Sequence, residues 1–225
     1  MSGPLHLRRA IERPSADFVA HFRGVPTGFV ADALGRRGAL HHAIRPITPA
    51  TDFVGTALPV WSVPGDNLAP YAALHVARPG DVLVVATEGC ETAAVMGDVL
   101  LGMARNVGIV AAVTDGMVRD LDGLEQVGLP VFARGLTPSS PFKNGPGRIG
   151  LPIAIGGLVV DAGDIVIGDR NGVVVVPRAR IPEAMKELAR VRARERDMDA
   201  AVAGGAKAPA WLPDYLARHP MIEVE

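Results

Sequence analysis

The sequence lacks several features that mark common classes of protein. It contains one cysteine, Cys90, among 225 residues, so no disulfide can form within the chain, and this fits a cytoplasmic location. Aromatic residues make up only 4% of the chain, which argues against a surface that stacks on bases. Lysine and arginine number 23 against 24 aspartates and glutamates, and the net charge of −1 predicts neither nucleic acid nor membrane as a partner.

Long apolar runs and familiar cofactor motifs are also missing. The apolar stretches are about strand length, well short of the roughly twenty residues that a membrane helix needs. The basic N-terminus has no apolar run behind it, so we predict no signal peptide. Gly145–Gly150 fits the pattern G-x-G-x-x-G, but strand-like residues follow it where a dinucleotide site needs a helix. No zinc signature, Walker loop or nucleophile elbow is found.

The composition that remains is typical of one compact α/β domain. A hydrophobic content of 48% is enough for a substantial core, and no linker divides the chain. We therefore predict a single domain over residues 1–225, with a C-terminal helical extension from about residue 180. The 26 glycines and 19 prolines follow no repeating period, so they predict many tight turns between short elements.

Hydrophobic periodicity predicts the order of the elements. Strands are expected over 53–63, 82–86, 109–113 and 130–133, with helices from Asp98 and over 121–127, and this order favours a parallel or mixed sheet. Pro59 predicts an edge strand or a bulge. Ser15 and Thr27 are predicted to cap two early helices. We further expect a loop over 139–150, four short strands over 153–176, a helix over 181–202 and a tail helix over 208–219, with Trp211 among its apolar anchors.

Asp98, Arg119 and Asp120 are the most informative residues. Each lies where a loop or strand meets a predicted helix, so each side chain should be exposed. A carboxylate can hold a divalent metal, and an arginine beside it can grip an anionic substrate with two parallel hydrogen bonds. The free N–H groups of a helix N-terminus can bind a second anionic group. Together these groups suit a small oxo-acid chelated by magnesium.

The wider sequence resembles a known family. The spacing Asp98, twenty residues, Arg119-Asp120 is followed by Gly128–Gly135 and later by Gly163–Pro177. In this combination the chain resembles the class II pyruvate aldolases that cleave 4-hydroxy-4-methyl-2-oxoglutarate and 4-carboxy-4-hydroxy-2-oxoadipate. That family includes the RraA-like proteins, named for inhibition of ribonuclease E. The resemblance implies an α/β/β/α sandwich similar to the swivelling phosphohistidine domain, assembled as a homotrimer or homohexamer with sites at the subunit interfaces.

The resemblance also implies roles for the site residues. Asp120 would bind the metal, Mg²⁺ or Mn²⁺ or another divalent cation, and Arg119 would hold the substrate and stabilise an enolate. Asp98 would orient a water or hold Arg119. The amides of Gly97, Asp98, Val99 and Leu100 would bind the substrate carboxylate. The alternatives from the residues alone are a surface ion pair between Arg119 and Asp120 and a helix-capping role for Asp98.

Three further residues fall near positions where family members carry polar groups, namely Asp32, Lys143 and Glu195. Simple exposure is the alternative for Lys143, and ion pairing on a solvated helix face is the alternative for Glu195. The implied reaction is a metal-dependent retro-aldol cleavage to pyruvate without a lysine Schiff base, with oxaloacetate decarboxylation as a side activity. The alternative function is a protein-binding regulator of ribonuclease E with no catalytic role.

Overall fold

The computed structural model describes residues 3–219, 221, 222 and 224. The strands are β1 (Leu5–Leu7), β2 (Arg45–Pro46), β3 (Phe53–Ser62), β4 (Asp81–Ala86), β5 (Ala94–Met96), β6 (Ala111–Thr114), β7 (Met117–Val118), β8 (Val131–Ala133), β9 (Gly135–Leu136), β10 (Gly147–Ile149), β11 (Ile153–Ile155), β12 (Leu158–Val160), β13 (Ile165–Asp169) and β14 (Gly172–Val176). The helices are α1 (Ala16–His21), α2 (Thr27–Ala33), α3 (Leu68–Ala73), α4 (Asp98–Asn106), α5 (Leu121–Val127), α6 (Ile181–Ala203) and α7 (Leu212–Arg218).

A nine-stranded mixed sheet organises the molecule, as the alternation of strands and helices predicts. Its main path runs β1-β10-β3-β4-β6-β8-β2, and the hairpin β13-β14 joins it through β3. The four central strands β3, β4, β6 and β8 are parallel to one another, while β10 and β13 pair antiparallel with β3, and β2 pairs antiparallel with β8. The helices α4 and α5 lie in the connections between parallel strands, which is the usual solution for a parallel crossover.

Alternating side chains build four layers. Along β4, Leu83 and Val85 pack into the core that includes α4, while Val82 and Val84 pack into a second core on the other face. The hairpin β13-β14 covers that second face and is apolar on both of its own sides. Val166, Val173 and Val175 face the central sheet, whereas Ile165, Ile167, Val174 and Val176 pack with α2 and α6. The fold is therefore the predicted α/β/β/α sandwich.

Pro59 does not mark an edge strand, so the edge alternative of the prediction of an edge or a bulge was wrong. It lies inside β3, between β4 on one side and β13 and β10 on the other. The antiparallel partner of β3 changes between Thr56, which pairs with β13, and Val60, which pairs with β10. The Pro59 carbonyl accepts the N–H of Gly150 at 2.8 Å, so the missing proline N–H falls at the junction of the two partners.

The segment 139–150, predicted to be a loop, also contains a strand. Its last residues form β10, which pairs with β1 and with the C-terminal end of β3. Gly147 faces Ala69 of α3 so closely that an added Cβ would collide with it. A strand of three residues is too short to show an apolar alternation, and its position depends on partners far away in the chain.

The two predicted helix caps have different outcomes. Ser15 is confirmed, since its Oγ accepts the N–H of Phe18 at 3.3 Å. Thr27 is not the cap of α2, because it lies inside the helix and its side chain is turned to another partner. Its N–H and its hydroxyl both donate to the Asp169 carboxylate, each at 2.8 Å. The start of α2 is thus held by a residue at the end of β13.

The C-terminal helices separate into a packed part and an exposed part. The buried residues of α6 end at Val191, as the fading apolar stripe predicts. Trp211 is 56% exposed, and α7 has no buried residue, so the prediction of Trp211 as an anchor was wrong. In the part of the chain that the structure describes, no helix is both long and apolar enough to cross a membrane.

A buried ion pair ties the N-terminal segment to the sheet. Arg13 donates to the two carboxylate oxygens of Asp81 at 2.8 and 2.7 Å, and to the carbonyl of Val76 at 3.2 Å. The Asp81 side chain is 1% exposed, and it also accepts the N–H of Arg78 at 2.8 Å. Both oxygens of this carboxylate therefore accept hydrogen bonds, which lowers the free-energy penalty of burying its charge.

Candidate functional site

A small parallel sheet positions the site. Strands β5, β7 and β9 pair side by side, separate from the large sheet. Gly97 follows β5 and Arg119 follows β7, and the N–H of Arg119 donates to the carbonyl of Met96 at 3.1 Å. The sequence predicts that Arg119 follows the strand that begins at Ile109. In the structure that strand ends at Thr114, and the Arg119-Asp120 pair follows the separate strand β7 instead.

Asp98, Arg119 and Asp120 converge on one cavity, together with the backbone of 97–100. The cavity has a volume of about 60 Å³. Because a water occupies about 30 Å³ in the liquid, the enclosed space takes only a few atoms, such as the oxo-acid end of a substrate. The side chains and backbone around it come from Asn67, Tyr71, Ala94, Met96, Gly97, Asp98, Val99, Leu100, Arg119, Asp120, Ser140, Pro141 and Lys143.

Asp120 is held in an unusual backbone conformation. It precedes α5 in the left-handed region, with φ 62° and ψ 52°, which aspartate tolerates better than most residues. Its Oδ2 lies 3.0 Å from the Nε of Arg119, and the two side chains are 39% and 36% exposed. The geometry of a surface ion pair is therefore present, and both groups remain accessible to a ligand at the mouth of the cavity.

Two glycines allow the acidic side chains to approach the backbone. A Cβ on Gly97 would lie 2.5 Å from Oδ2 of Asp120, so only glycine leaves the carboxylate where it is. A Cβ on Gly123 of α5 would similarly meet the Cβ of Asp98 at 2.6 Å. These close contacts bring the beginnings of α4 and α5 together, and with them the two carboxylates.

Asp98 makes the contact expected from its alternative role at the start of a helix. Its Oδ1 accepts the N–H of Val99 at 2.6 Å, within the first turn of α4. Val99 itself is 58% exposed, and Leu100 is buried. The cradle predicted from 97–100 is thus a helix N-terminus at the cavity, with one of its N–H groups in contact with Asp98.

The cavity is also lined by residues that the sequence did not indicate, Asn67 and Ser140 among them. The Nη1 of Arg119 donates to Ser140 Oγ at 2.6 Å, which orients the guanidinium. Asn67 is only 6% exposed, and its Oδ1 is buried without a hydrogen-bond partner among the described residues. Both lie far from the motif in the sequence, so no spacing could have revealed them. Lys143, which was singled out, does line the cavity.

Asp32 and Glu195 lie elsewhere in the protomer. Arg194 of α6 contacts both of them, at 3.0 Å from Asp32 and 3.3 Å from Glu195, and neither residue lines the cavity. Within one chain, α2 and α6 therefore hold these carboxylates in an exposed ion-pair network.

The donor set at the cavity fits a hard, partly hydrated cation. No group of three or more His, Cys, Asp or Glu side chains in the described part of the chain could hold a metal by itself. Mg²⁺ does not need such a group, because it keeps several waters and is usually bound by one or two carboxylates plus substrate oxygens. The accessible carboxylate of Asp120, with Asp98 lining the same space, meets that requirement.

Comparisons with known proteins point to the same family. The family model described as RraA-like, Aldolase/RraA, matches residues 27–175. A protein of Halalkalibacterium halodurans named "Putative 4-hydroxy-4-methyl-2-oxoglutarate aldolase" is 39% identical over 184 residues, which cover 80% of this chain and 88% of that protein.

Two solved structures share the fold. An uncharacterized protein from Pseudomonas syringae pv. tomato superposes with a TM-score of 0.78 at 27% identity, over 88% of this chain and 93% of that one. Streptomyces coelicolor RraAS2, described as an unusual member of the RNase ES inhibitor RraA protein family, superposes with a TM-score of 0.74 at 26% identity, over 84% and 99%. With the sandwich fold and the converging Asp98, Arg119 and Asp120, these matches show that the chain belongs to the aldolase/RraA family.

Proposed function

We propose that the protein is a divalent-metal-dependent aldolase that cleaves a 4-hydroxy-2-oxo dicarboxylic or tricarboxylic acid to pyruvate and a second oxo acid. The observation that carries the proposal is the convergence of an accessible Asp120, Arg119 and the N-terminus of α4 on one small cavity. An α-oxo acid has oxygens that can bind a cation, and its carboxylate can accept hydrogen bonds from an arginine and from the N–H groups of a helix N-terminus. The relative named as an aldolase, at 39% identity, supports the same reaction class.

The residues have separate tasks in this reaction. The N–H groups of 97–100 bind the substrate carboxylate, and the Arg119 guanidinium, oriented by Ser140, donates to the 2-keto oxygen. A base held by the site removes the 4-hydroxyl proton, the C3–C4 bond breaks, and its electron pair forms the enolate of pyruvate. Arg119 stabilises the negative charge that develops on the enolate oxygen. Protonation at C3 then gives pyruvate.

Asp120 would hold the metal, Mg²⁺ or Mn²⁺ or another divalent cation. A bound cation supplies Lewis-acid stabilisation of the same developing charge. Asp98, which lines the cavity beside Asp120, would orient a water. Loss of CO₂ from oxaloacetate forms the same enolate, so we propose oxaloacetate decarboxylation as a side activity.

We further propose that the working enzyme is a cytoplasmic homotrimer or homohexamer with its sites at subunit interfaces, and that neither nucleic acid nor a membrane is a partner. Beside the cavity, Val99 and Met103 on α4 are 58% and 47% exposed, although both are apolar. A neighbouring subunit over this face would remove them from water. It would also enclose the distal half of a substrate that the 60 Å³ cavity cannot contain.

A coupled assay tests the proposal. Purified protein is incubated with 4-hydroxy-4-methyl-2-oxoglutarate, and pyruvate is followed through lactate dehydrogenase with Mg²⁺ and with EDTA. We expect pyruvate formation at about 1 to 10³ turnovers per second, the usual range for enzymes, and its loss with EDTA. Absence of pyruvate from this substrate and from oxaloacetate would overturn the proposal.

A second candidate function is regulation of ribonuclease E by direct binding. The similarity to RraAS2 and to a Thermus protein described as an RNA-processing inhibitor, with a TM-score of 0.63, favours this candidate. A pull-down with purified ribonuclease E tests it. Binding in the absence of any metal-dependent pyruvate formation would favour the regulator over the aldolase.

A further inference from the structure

The segment 139–144 runs along the site cavity, yet none of its side chains is buried. Ser140, Pro141 and Lys143 line the cavity, and Phe142 is 73% exposed. Hydrophobic packing needs apolar surface that is removed from water, so it contributes little to fixing this segment. Hydrogen bonds to other elements must therefore determine where the segment lies.

Backbone hydrogen bonds hold the segment at both ends. At its beginning, the carbonyl of Ser139 accepts the N–H of Ala94, the first residue of β5, at 3.0 Å. Further along, Phe142 pairs with the chain just before α3. Its N–H donates to the carbonyl of Gly65 at 2.8 Å, and its carbonyl accepts the N–H of Asn67 at 3.0 Å.

Asp66 adds a buried charge to this arrangement. It is 4% exposed, and its two carboxylate oxygens accept hydrogen bonds from different elements. Oδ1 accepts the N–H of Leu68 in α3 at 2.8 Å, and Oδ2 accepts the N–H of Asn144 at 2.5 Å. Hydrogen bonds to a carboxylate are shorter and stronger than those between neutral groups. Asp66 therefore joins the segment to the start of α3 more firmly than the backbone pairing does alone.

Ser140 connects this segment to the proposed chemistry. Its Oγ accepts a hydrogen bond from Nη1 of Arg119 at 2.6 Å. Ser140 is exposed and lies between the two anchored residues Ser139 and Phe142. Because an arginine side chain has many rotamers, the Arg119 guanidinium stays in one direction only while its acceptor is fixed.

We infer that Asp66 is a positioning residue for the reaction, which fixes segment 139–144 so that Ser140 directs the Arg119 guanidinium at the 2-keto oxygen. This inference rests on the proposed aldolase function. Asp66 does not line the cavity, so it takes no part in making or breaking bonds. Its influence reaches the substrate through Ser140 and Arg119, so losing the Asp66 carboxylate and losing the Ser140 hydroxyl should have one shared effect.

The test is a double-mutant cycle of Asp66→Asn and Ser140→Ala, measured as kcat/KM for metal-dependent pyruvate formation. Asparagine is similar in shape to aspartate but has a single acceptor oxygen, so it cannot accept both N–H groups. We expect each single variant to lower kcat/KM about tenfold. The double variant should also lose about tenfold, where independent effects would multiply to about 100-fold.

A second variant removes the same hydrogen bond from the side of the segment. Asn144→Pro deletes the donor N–H and leaves the Asp66 side chain and its contact with α3 in place. Asn144 is exposed and is not in the left-handed region, so proline removes no packing there. This variant should reproduce the loss in kcat/KM and its lack of multiplication with Ser140→Ala, also in the case that Asp66→Asn does not fold.

Asp164→Asn is the matched control. Asp164 is 5% exposed, and its two oxygens likewise accept backbone N–H groups, from Asp161 at 2.9 Å and Arg178 at 2.8 Å. It does not line the cavity, and among the described residues it makes no hydrogen bond to segment 139–144. The control should lower the Tm as Asp66→Asn does, while kcat/KM stays within about twofold of wild type.

Three outcomes would overturn the inference while the proposed function stands. These are losses that multiply in the double variant, an unchanged kcat/KM in Ser140→Ala or in both Asp66→Asn and Asn144→Pro, and an equal loss in Asp164→Asn. If wild type forms pyruvate from neither 4-hydroxy-4-methyl-2-oxoglutarate nor oxaloacetate, the proposed function fails and this inference fails with it.

Discussion

Two arginine–aspartate pairs in this protein have opposite surroundings. Arg13 and Asp81 meet through two hydrogen bonds, with 14% and 1% of their side chains exposed, at the start of a central strand. Arg119 and Asp120 meet through one contact of 3.0 Å, with 36% and 39% exposed, at the end of β7. The carboxylate of the first pair is buried and accepts hydrogen bonds on both oxygens, whereas the second pair is accessible from the cavity.

The difference shows how one pair of residue types serves two purposes. In the buried pair the carboxylate has donors on both oxygens, so it holds the chain segments together and has no capacity left for a ligand. In the exposed pair the mutual attraction is weak because water screens it. Asp120 can therefore leave Arg119 to bind a cation, and Arg119 can leave Asp120 to bind an anion, at little cost in free energy.

The largest expected effect is on the buried pair. Asp81→Ala leaves the charge of Arg13 buried and should lower the free energy of unfolding by about 3–5 kcal/mol, measured by urea denaturation. Glu187→Ala is the control, because it breaks an exposed pair with Arg190 and should cost about 0.5 kcal/mol or less. Equal effects of the two changes would contradict the distinction between the pairs.

The exposed pair should show the reverse pattern. Arg119→Ala or Asp120→Asn should lower kcat/KM about 10²- to 10³-fold, as for loss of an electrostatic contact to the transition state, while the Tm changes little, since asparagine tolerates the left-handed backbone at position 120. Arg105→Ala is the control on α4, where the arginine is exposed and makes no ion pair within the described residues. Turnover within about threefold of wild type in either site variant would refute the assignment of these residues.

Gly97 sharpens the comparison, since it sets where the exposed carboxylate lies. Gly97→Ala places a methyl group 2.5 Å from Asp120 Oδ2 and should lower kcat about 10- to 100-fold by displacing it. Gly102→Ala, one turn along α4, meets its nearest neighbour at 3.9 Å and should leave activity unchanged, with a slightly higher Tm. An unchanged kcat in Gly97→Ala would mean that the position of this carboxylate is not critical.

Asp169 provides an intermediate case, because its donors are neutral. Burial raises the pKa of Asp169, but hydrogen bonds from Thr27 and Asn171 outweigh it and hold this pKa below its usual range. Since the folded pKa is depressed, the stabilisation is present above the unfolded pKa of about 3.9 and is lost as pH falls through the folded value. Asp169→Asn should cost about 1 kcal/mol at pH 7, and the difference from wild type should vanish in acid. A difference that is independent of pH would contradict this account.

The fold was predictable wherever local periodicity decides the structure. The strand at 53–62, the central βαβ order and the long helix from Ile181 follow from apolar spacing alone. Local patterns gave wrong predictions for Pro59, Thr27 and the strand at Gly147–Ile149. The structure at each of these positions is determined by a partner more than fifty residues away in the chain. The four-layer arrangement came from the family resemblance and not from composition or periodicity.

The site was predictable in part for the same reason. The convergence of Asp98, Arg119 and Asp120 follows from residues that lie at the beginnings of neighbouring helices. Asn67 and Ser140 reach the cavity from other elements, and neither belongs to a local pattern. A buried amide oxygen without a partner is visible only when the surrounding chain is folded.

The left-handed backbone at Asp120 has a consequence for how this family can diverge. With φ at 62°, the position favours aspartate, asparagine and glycine over all other residues. An aspartate codon becomes an asparagine or a glycine codon by one nucleotide change. A single mutation can therefore delete the proposed metal ligand while the backbone keeps its shape, which gives a short genetic route from the proposed enzyme to a folded protein that only binds.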